Sequence, residues 1–459
     1  MRGILSAAGY VPYWRLDRSE VAQTFGSGGG KGTRAVASYD EDTTTMGVEA
    51  ARLALRSAAG VAPHALTFAT VAPAYLDKTN ATTIHAALRL DSDVAAFDFG
   101  GAVRSSVGAL RAALRPGGPV LVVSADRRDG QPTSADESAG GDGAAALLVG
   151  SDDDGPVIAE LLGVGTATEE FIDRWRLPGE RRSKLWEERF GETKYVPLGD
   201  EAFRAGLKAA DLSVEQIDRL VVTGPHARAV RALTPRLGVD KEKIVDDLSV
   251  TVGWTGAAHP ALLLTTALET AEPGQVLVVL SLADGADALV FRTTDAIAAW
   301  EPARSIATQI AASGQVPYGK FLSWRDWVQV EGPRRPEPSR ISAAAAGRRT
   351  DWKYAFVGSK DAEGEIHAPP HPGDPESAPM ADVEGTISTF TIDRIAYSPS
   401  PPITYAIVDM DNGTRSALEL CDLDVSQLKM GDRVEPTFRK LFTSDGIHNY
   451  FWKARPIRG

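Results

Sequence analysis

Residues 95–115 read AAFDFGGAVRSSVGALRAALR, and the functional interpretation of the whole chain depends on one residue in this stretch. The pattern predicts a short buried strand over residues 94–99, a tight Gly-Gly turn, and a helix that begins near Val103. A cysteine at such a helix start would be a strong nucleophile, because unpaired N–H groups and the helix dipole lower its pKa. This chain has valine there.

The composition is that of a globular protein, with 43% hydrophobic and 24% charged residues among 459. A chain of this length predicts two or three domains, because it exceeds what one hydrophobic core supports. The net charge of −12 argues against nucleic acid as a partner. Apolar runs fall short of the roughly 18 residues that a membrane span needs, so we expect a soluble, cytoplasmic protein without a membrane partner.

Residues 1–293 alternate between buried strands and amphipathic helices, which predicts one α/β domain. Strand-like runs such as PVLVVSAD at 119–126 in the first half have counterparts such as RLVVTG at 219–224 and QVLVVLSL at 275–282 in the second. The alternation itself is what the pattern establishes. It predicts parallel sheet built from strand-helix-strand units.

The composition changes after residue 293. Residues 294–350 predict a helix with an aromatic group, followed by a connection rich in Pro, Arg and Ala. Residues 373–459 predict an all-β domain, because turn sequences such as Asp411-Asn412-Gly413 separate short strand-like runs. Five or so short strands favour a small barrel.

The order of these pieces resembles the thiolase superfamily, most closely its hydroxymethylglutaryl-CoA synthase branch of archaeal and bacterial type. The matching pieces include YDEDTTTMGVEAARLAL, AFDFGGAVRSS, FIDRWRLPGERRSKLWEERFGETKY and GWTGAAHP. The resemblance implies a five-layer α/β/α/β/α sandwich of duplicated halves with the active site between them. It also implies an acyl-CoA substrate, with coenzyme A as part of the substrate and no permanently bound cofactor, and a homodimer formed through the 95–115 region.

The C-terminal part is similar to the DUF35 family, whose members join a helix and a zinc ribbon to an OB-fold and assemble with thiolase-fold partners. PYGKFLSWRDW, EGTISTFTI and MGDRVEPTF carry this similarity. It divides the region into a degenerate zinc-ribbon remnant at 351–372 and an OB-fold domain at 373–459. A further protein partner is left open.

No zinc is expected in the ribbon remnant. The family's paired cysteines are replaced by the run SKDAEG at 359–364, and Cys421 is the one cysteine of the sequence. A tetrahedral thiolate site therefore cannot form. Asp361, Glu363, His367 and His371 offer oxygen and nitrogen donors, but we interpret them as solvated loop residues.

The resemblance places the synthase branch's functional residues on side chains that lack their chemistry. The cysteine falls on Val103, the histidine on Thr223, the asparagine on Trp254 and the acid/base glutamate on Val71. One interpretation is a pocket rebuilt for a reaction that needs no acyl-enzyme, such as aldol or retro-aldol cleavage of a β-hydroxyacyl-CoA. Steroid side-chain aldolases, which are thiolase-fold proteins with a DUF35 partner, resemble this arrangement.

His226 or His259 is the predicted base, since imidazole titrates near working pH, and Tyr195 and Arg104 are further candidates. Either histidine could instead be a packing residue. Basic residues in one run are candidates for the phosphates of coenzyme A or for a solvated surface, namely Arg174, Arg176, Arg181, Arg182 and Lys184.

Two other functions stay open. The domain could be a non-catalytic acyl-CoA-binding or scaffold subunit, with Trp254 plugging an abandoned pocket. Acyl transfer with a non-cysteine mechanism would use Ser105 or Ser106, although hydroxyls at a helix start usually act as caps.

Overall fold

The computed structural model describes residues 1–58, 60–339 and 342–458. Its first half contains seven strands and five helices among these residues. In chain order they are β1 (Arg2–Tyr10), β2 (Trp14–Asp17), α1 (Ser19–Phe25), β3 (Thr33–Val36), α2 (Thr43–Arg56), β4 (Ala65–Thr70), α3 (Ala81–Ala87), β5 (Ala95–Gly100), α4 (Arg104–Ala113), β6 (Val120–Asp126), α5 (Ala135–Ala139) and β7 (Gly143–Ser151).

The second half of the α/β domain follows directly. Its elements are β8 (Ala159–Ala167), β9 (Arg174–Trp175), β10 (Lys184–Leu185), α6 (Glu188–Ala210), β11 (Arg219–Thr223), α7 (Ala227–Leu233), α8 (His259–Leu268), β12 (Val276–Leu282) and β13 (Ala286–Thr293). The two halves form one mixed sheet in the order β11-β12-β13-β8-β1-β7-β6-β4-β5. They join where β1 pairs with β8, at Gly3 opposite Glu160 and Ile4 opposite Ala159.

The helices lie in three layers, one between the half-sheets and one on each outer side. Helix α8 packs against β1 and β7 of the first half and against β11 and β12 of the second, and α4 lies beside it on β4–β6. Helix α2 covers the outer face of the first half, and α6 and α7 cover that of the second. The predicted five-layer sandwich is confirmed.

The 95–115 stretch differs from the prediction in one respect. Helix α4 begins at Arg104, after Val103, as predicted. The strand before it, however, is not buried: β5 is the last strand of the sheet, and the Phe97 side chain is 58% exposed. An edge strand has a neighbour on one side only, which explains why an apolar run can remain accessible here.

The predicted helix and connection at 294–350 forms several elements, some of which belong to the α/β domain. They are α9 (Ile306–Ala311), β14 (Gly314–Gln315), α10 (Tyr318–Trp324) and α11 (Ala343–Gly347). Strand β14 pairs with β2, and the aromatic side chains of α10 pack on Leu16, Val21 and Val36. Arg340 and Ile341 of the predicted connection lie outside the described residues.

The rest of the chain forms a small sheet and a closed five-stranded barrel. The elements are α12 (Thr350–Lys353), β15 (Val357–Lys360), β16 (Ile366–His367), β17 (Glu376–Pro379), β18 (Gly385–Asp393), β19 (Ile403–Met410), β20 (Arg415–Leu420), β21 (Arg433–Ser444) and β22 (Ile447–Pro456). The small sheet, β16-β15-β17, extends past the predicted boundary at 372, and the barrel closes in the order β18-β19-β20-β22-β21. The predicted all-β barrel is confirmed. No helix in the described part of the chain is long and apolar enough to cross a membrane.

Buried ion pairs join the barrel to the α/β domain. Arg455 on β22 lies 2.9 Å from Glu49 of α2, and Arg439 on β21 lies 2.6 Å from Glu41. The polar face of α2 carries this domain contact through Glu49. Because each buried charge has a partner of opposite sign, the interface holds charges that would be costly to leave alone.

Candidate active site

A cleft of about 760 Å³ opens where both domains meet. Val71, Arg127 and Val103 follow the carboxyl ends of β4, β6 and β5, and all three line it. These strands are parallel neighbours, so their carboxyl ends come together at one edge of the sheet. The cleft therefore occupies the position at which open α/β sheets place ligands.

Asp126 organises the floor below the cleft. Its Oδ1 accepts hydrogen bonds from the Thr70 hydroxyl (2.9 Å) and the Val71 N–H (2.8 Å), and its Oδ2 accepts one from the Ala257 N–H (2.7 Å). Burial raises the pKa of this carboxyl, against those hydrogen bonds. The φ of Gly256 is +58°, and a Cβ there would lie 2.1 Å from Asp126 Oδ2, so only glycine fits this approach.

The start of α4 presents no nucleophile to the cleft. Val103 lines it with a half-buried side chain. The Ser105 hydroxyl donates to the Gly100 carbonyl (3.0 Å) and the Ser106 hydroxyl donates to the Val103 carbonyl (2.9 Å). Both hydroxyls are engaged with backbone carbonyls, which leaves the acyl-transfer alternative without a structural feature in its favour.

Tyr195 is the one predicted catalytic residue that lines the cleft. It lies on α6, almost fully buried, and its hydroxyl accepts a 3.4 Å hydrogen bond from the Asp284 N–H. Burial and the carboxylates of Asp284 and Asp173 raise the pKa of this phenol. Tyr195 is therefore a protonated donor at neutral pH and not a base.

The two predicted bases do not line the cleft; both are engaged in the interior. His226 caps α7: its Nδ1 accepts from the Ala229 N–H (3.0 Å), so Nε2 carries the proton that it shares with the Glu188 carbonyl (2.9 Å). His259 begins α8, where Nδ1 accepts from the Thr255 N–H (3.2 Å). Burial lowers the pKa of His259 to about 4.

The other predicted pocket residues divide into two groups. Val71 and Val103 meet in the cleft, whereas Thr223 is buried at the end of β11. Trp254 lies beneath the cleft wall, with the guanidinium carbon of Arg128 4.6 Å from its ring centroid. Trp254 therefore supports a lining residue and does not plug the pocket.

The Arg104 side chain does not line the cleft. Its Nε donates to Asp287 Oδ2 (2.8 Å), and its other nitrogens donate to the Asp284 carbonyl (2.7 Å) and the Thr168 hydroxyl (2.9 Å). A guanidinium with all its donors engaged in this way joins chain segments. A role in the substrate pocket has no support in this arrangement.

Three of the five basic candidates line the cleft, namely Arg174, Arg176 and Arg181. The Arg174 guanidinium forms a two-bond pair with Asp136 (2.7 and 2.6 Å), and Arg176 donates to the Val71 carbonyl. Arg181 stacks 4.0 Å above the Trp327 ring centroid. With Arg127 and Arg128, they form the cation-rich wall of a cleft that is also lined by five carboxylate side chains, those of Asp42, Asp129, Glu180, Asp284 and Asp326.

The barrel also lines the cleft, which the sequence did not reveal. Lys440, Thr443 and His448, on strands β21 and β22, face the same space as Val103 and Tyr195. The run RKLFTSDGIHNYF at 439–451 has the pattern of two strands joined by a turn. No local pattern indicates that it reaches residues nearly four hundred positions earlier in the chain.

The segment predicted to be a ribbon remnant holds a hydrogen-bonded cluster. Asp374 Oδ2 accepts from the Ser359 hydroxyl and lies 2.8 Å from His367 Nδ1. Of the predicted oxygen and nitrogen donors, Asp361 and His367 come together with Glu365, whereas Glu363 is not part of that group. This donor set contains no sulfur and does not fit a zinc ribbon.

Two family models match parts of the chain. Residues 207–292 match the C-terminal domain of 3-oxoacyl-[acyl-carrier-protein] synthase III, and residues 378–439 match the C-terminal OB-fold domain of ChsH2. The first covers the second half of the sandwich from the end of α6 to β13, and the second covers most of the barrel.

Curated relatives match about two thirds of the chain. The hydroxymethylglutaryl-CoA synthase of Methanopyrus kandleri is 30% identical over 313 residues, which span 64% of this chain and 88% of the relative. The synthase of Archaeoglobus fulgidus is 28% identical over 348 residues, 72% of this chain and 100% of the relative.

Solved structures share the fold at lower identity. PksG, a hydroxymethylglutaryl-CoA synthase from Bacillus subtilis, has a TM-score of 0.61 at 18% identity and covers 71% of this chain and 88% of its own. MvaS in complex with 3-hydroxy-3-methylglutaryl coenzyme A has a TM-score of 0.60 at 20% identity, over 74% of this chain and 94% of its own.

Proposed function

Because this chain belongs to the hydroxymethylglutaryl-CoA synthase family, we propose that its cleft binds a β-hydroxyacyl-CoA and breaks or forms the Cα–Cβ bond by aldol chemistry. The observation that carries the proposal is the pairing of Val103 with Tyr195 in one cleft. Because position 103 is a valine, it offers no nucleophile that could form an acyl-enzyme. The Tyr195 hydroxyl supplies a hydrogen-bond donor. An aldol step needs the donor and a base but no nucleophile.

The cleavage balances without an added reagent. A base takes the proton of the β-hydroxyl, the Cα–Cβ bond breaks, and its electron pair forms the enolate of the shortened thioester. The β-carbon leaves as an aldehyde or ketone, and a proton added to the α-carbon completes an acyl-CoA. The Tyr195 hydroxyl donates a hydrogen bond to the thioester oxygen, where negative charge develops.

The cation-rich wall supports an anionic ligand. Arg127 and Arg128 line the cleft close to Val71, and Arg176 and Arg181 line it from the segment before α6. Guanidinium groups bind phosphate with paired hydrogen bonds, and the diphosphate and 3′-phosphate of coenzyme A match such a wall. The structures with which the chain shares its fold include a synthase complexed with CoA.

The test measures carbon–hydrogen exchange and carbonyl release together. Enolate formation exchanges the α-protons of acetyl-CoA and propionyl-CoA for deuterium in D2O, which NMR detects without knowledge of the carbonyl fragment. Carbonyl trapping with a hydrazine reagent then measures cleavage of 3-hydroxybutyryl-CoA and 3-hydroxy-3-methylglutaryl-CoA, while thiol titration shows that no free CoA appears. We expect Tyr195→Phe to slow the exchange by about 10²- to 10³-fold, as for loss of one oxyanion donor.

A matched control and two outcomes complete the test. Tyr397→Phe changes a 41% exposed tyrosine of the barrel domain and should leave the exchange rate unaltered. Thermal stabilisation by acetyl-CoA without exchange or carbonyl release would establish the binding-subunit alternative instead. Release of free CoA thiol would establish the acyltransferase alternative.

We also propose that two copies pair along β5. This strand ends the nine-stranded sheet, and Phe97 is exposed on it. An unpaired edge is a template for a second strand, and β5 leads directly to Val103. Sedimentation analysis should give a dimer for the wild type and a monomer for Phe97→Lys, whereas Phe25→Lys, at a 50% exposed phenylalanine elsewhere, should stay dimeric.

A further inference from the structure

The β21–β22 hairpin of the barrel forms one wall of the cleft. The Lys440 N–H donates a 2.9 Å hydrogen bond to the Asp40 carbonyl, which fixes the strand against the α/β domain. The pairing of β21 with β22 shifts between Lys440 and Phe442, so a bulge follows immediately. Bulges turn a strand and re-aim its side chains, and they are common beside active sites.

The Lys440 ammonium faces the cleft without a close ionic partner. Among the described residues, the carboxylate within ion-pair distance is that of Asp42, and its Oδ2 lies 4.0 Å away. That carboxylate already accepts hydrogen bonds from the Tyr450 hydroxyl (2.8 Å) and from two N–H groups at the start of α2. The Lys440 side chain is 16% exposed, so its amine can reach a ligand in the cleft.

Lys453, on the neighbouring strand β22, is a lysine of the same interface that has close ionic partners. Its Nζ lies 2.8 Å from Asp40 Oδ2 and also contacts Glu419, and its side chain is fully buried. Burial alone would lower the pKa of Lys453, but these carboxylates raise it well above the usual range. Lys453 is therefore a permanent cation.

Lys440 behaves in the opposite way. Burial lowers the pKa of its ammonium, and Arg127 lowers it further. The carboxylates that act to raise the pKa are those of Asp42, Asp40 and Asp326. A lowered pKa favours the neutral amine, and a lysine in such a setting is suited to moving protons.

We propose that Lys440 is the proton-transfer residue of the cleft, so that the barrel supplies a catalytic group to the α/β domain. The inference rests on the proposed aldol function. In cleavage, the neutral amine accepts the β-hydroxyl proton as the Cα–Cβ bond breaks. The resulting ammonium returns that proton to the α-carbon of the enolate, so the amine is regenerated and no proton is gained or lost.

His448 is the other titratable group that the hairpin brings to the cleft. Its Nδ1 is 2.7 Å from the Thr443 hydroxyl, its backbone N–H donates to the Tyr75 hydroxyl, and its ring lies 4.9 Å from the Tyr75 ring. Burial and the Lys440 charge lower the pKa of this imidazole. These contacts hold the ring in place, and they favour Lys440 as the group that moves the proton.

The α-proton exchange of acetyl-CoA tests this assignment on the full chain. We expect Lys440→Met and Lys440→Arg to lower exchange by about 10²- to 10⁴-fold, because neither side chain accepts a proton at neutral pH. The arginine variant keeps the positive charge and so separates proton transfer from electrostatic binding. Lys429→Met, at an exposed lysine of the barrel, should exchange at the wild-type rate.

The pH profile gives a second readout. By microscopic reversibility the neutral amine removes the α-proton, so the wild-type exchange rate should rise with pH through the lowered pKa of Lys440, and that rise should disappear in Lys440→Met. Thermal stabilisation by acetyl-CoA should persist in Lys440→Arg, which shows an intact, occupied cleft.

The outcomes separate the two proposals. Wild-type exchange rates in Lys440→Met or Lys440→Arg would overturn the role of Lys440 and leave the aldol function standing, and loss of exchange only in His448→Gln would move the role to that histidine. A wild-type protein that neither exchanges α-protons nor releases a carbonyl would overturn the aldol function itself.

Discussion

The hydroxyl of Tyr450 donates a 2.8 Å hydrogen bond to Oδ2 of Asp42, across 408 residues of sequence. Asp42 caps helix α2 through its other carboxylate oxygen, so this one side chain fixes a helix start and holds the barrel. The contact lies against the cleft, because Asp42 also lines it. Domain docking and site geometry therefore depend on the same carboxylate.

Removing this hydrogen bond should weaken the folded state. We expect Tyr450→Phe to lower the free energy of unfolding by about 2 kcal/mol, because a charged acceptor loses its donor. Urea unfolding followed by tryptophan fluorescence measures the change. Tyr405→Phe alters a 47% exposed tyrosine of the same barrel and should leave the midpoint within error. Equal midpoints for all three proteins would contradict the prediction.

The buried ion pairs should be far more costly to break than surface pairs. Arg455→Met removes one arginine partner from Glu49 and one from Glu435, which keep Arg52 and Arg304, and should cost about 1.5 to 3 kcal/mol. Arg415→Met breaks an exposed pair with Asp409 and should leave the urea midpoint nearly unchanged, because water screens the two charges. Urea midpoints compare the two variants, and similar losses would show that the buried arginine is not what joins the domains.

Substitutions of His226 distinguish a role as a helix cap from a role as a catalytic base. Asparagine caps helices well, so His226→Asn should retain stability within about 1 kcal/mol, whereas His226→Ala should lose about 0.5 to 2 kcal/mol. Carbonyl release from 3-hydroxy-3-methylglutaryl-CoA should continue in His226→Asn. Loss of activity in a stable His226→Asn protein would instead restore His226 as the base.

His259 should make stability depend on pH in a defined window. Its pKa falls from 6.5 to about 4 on folding because the imidazole is buried. As the pH is lowered, His259 therefore takes up its proton at a higher pH in the unfolded chain than in the folded protein. The stability contributed by neutral His259 is complete above pH 6.5 and is lost as pH falls towards 4. His259→Asn should therefore reduce the slope of unfolding free energy against pH in this window by up to about 1.4 kcal/mol per pH unit.

The measurement is a set of urea midpoints between pH 4 and 7 for the wild type and His259→Asn. Carboxyl groups also titrate in this range, but they contribute equally to both proteins. The difference between the two curves of unfolding free energy against pH therefore reports the one histidine. Parallel curves would mean that folding does not lower the pKa of His259, and would reopen its predicted role as a base.

The sequence predicted best what neighbouring residues determine. The start of α4 after Val103 and the Asp411-Asn412-Gly413 hairpin follow from local patterns, and the structure has both. The environment of His226 was not predictable in this way. Its motif suggested chemistry, whereas the Glu188 carbonyl that engages it comes from another helix, 38 residues away.

The barrel's part in the cleft lay beyond sequence reasoning for the same physical reason. Lys440 and His448 lie in a run with ordinary strand periodicity. They line the cleft because the fold brings them to Asp42 and Val71, which are far away in the sequence. Contacts between segments so far apart leave no periodic signal. The exposure of β5 was not predicted either, because an apolar strand has the same sequence pattern at the centre and at the edge of a sheet.

The covalent continuity of sandwich and barrel has a consequence for assembly. Because one chain carries both, every cleft receives its own β21–β22 hairpin at a ratio of one to one, and dilution cannot separate them. A separate barrel subunit would have to meet its sandwich by diffusion, at a concentration set by the cell. Here that encounter is intramolecular, and synthesis of a single polypeptide delivers both walls of the cleft together.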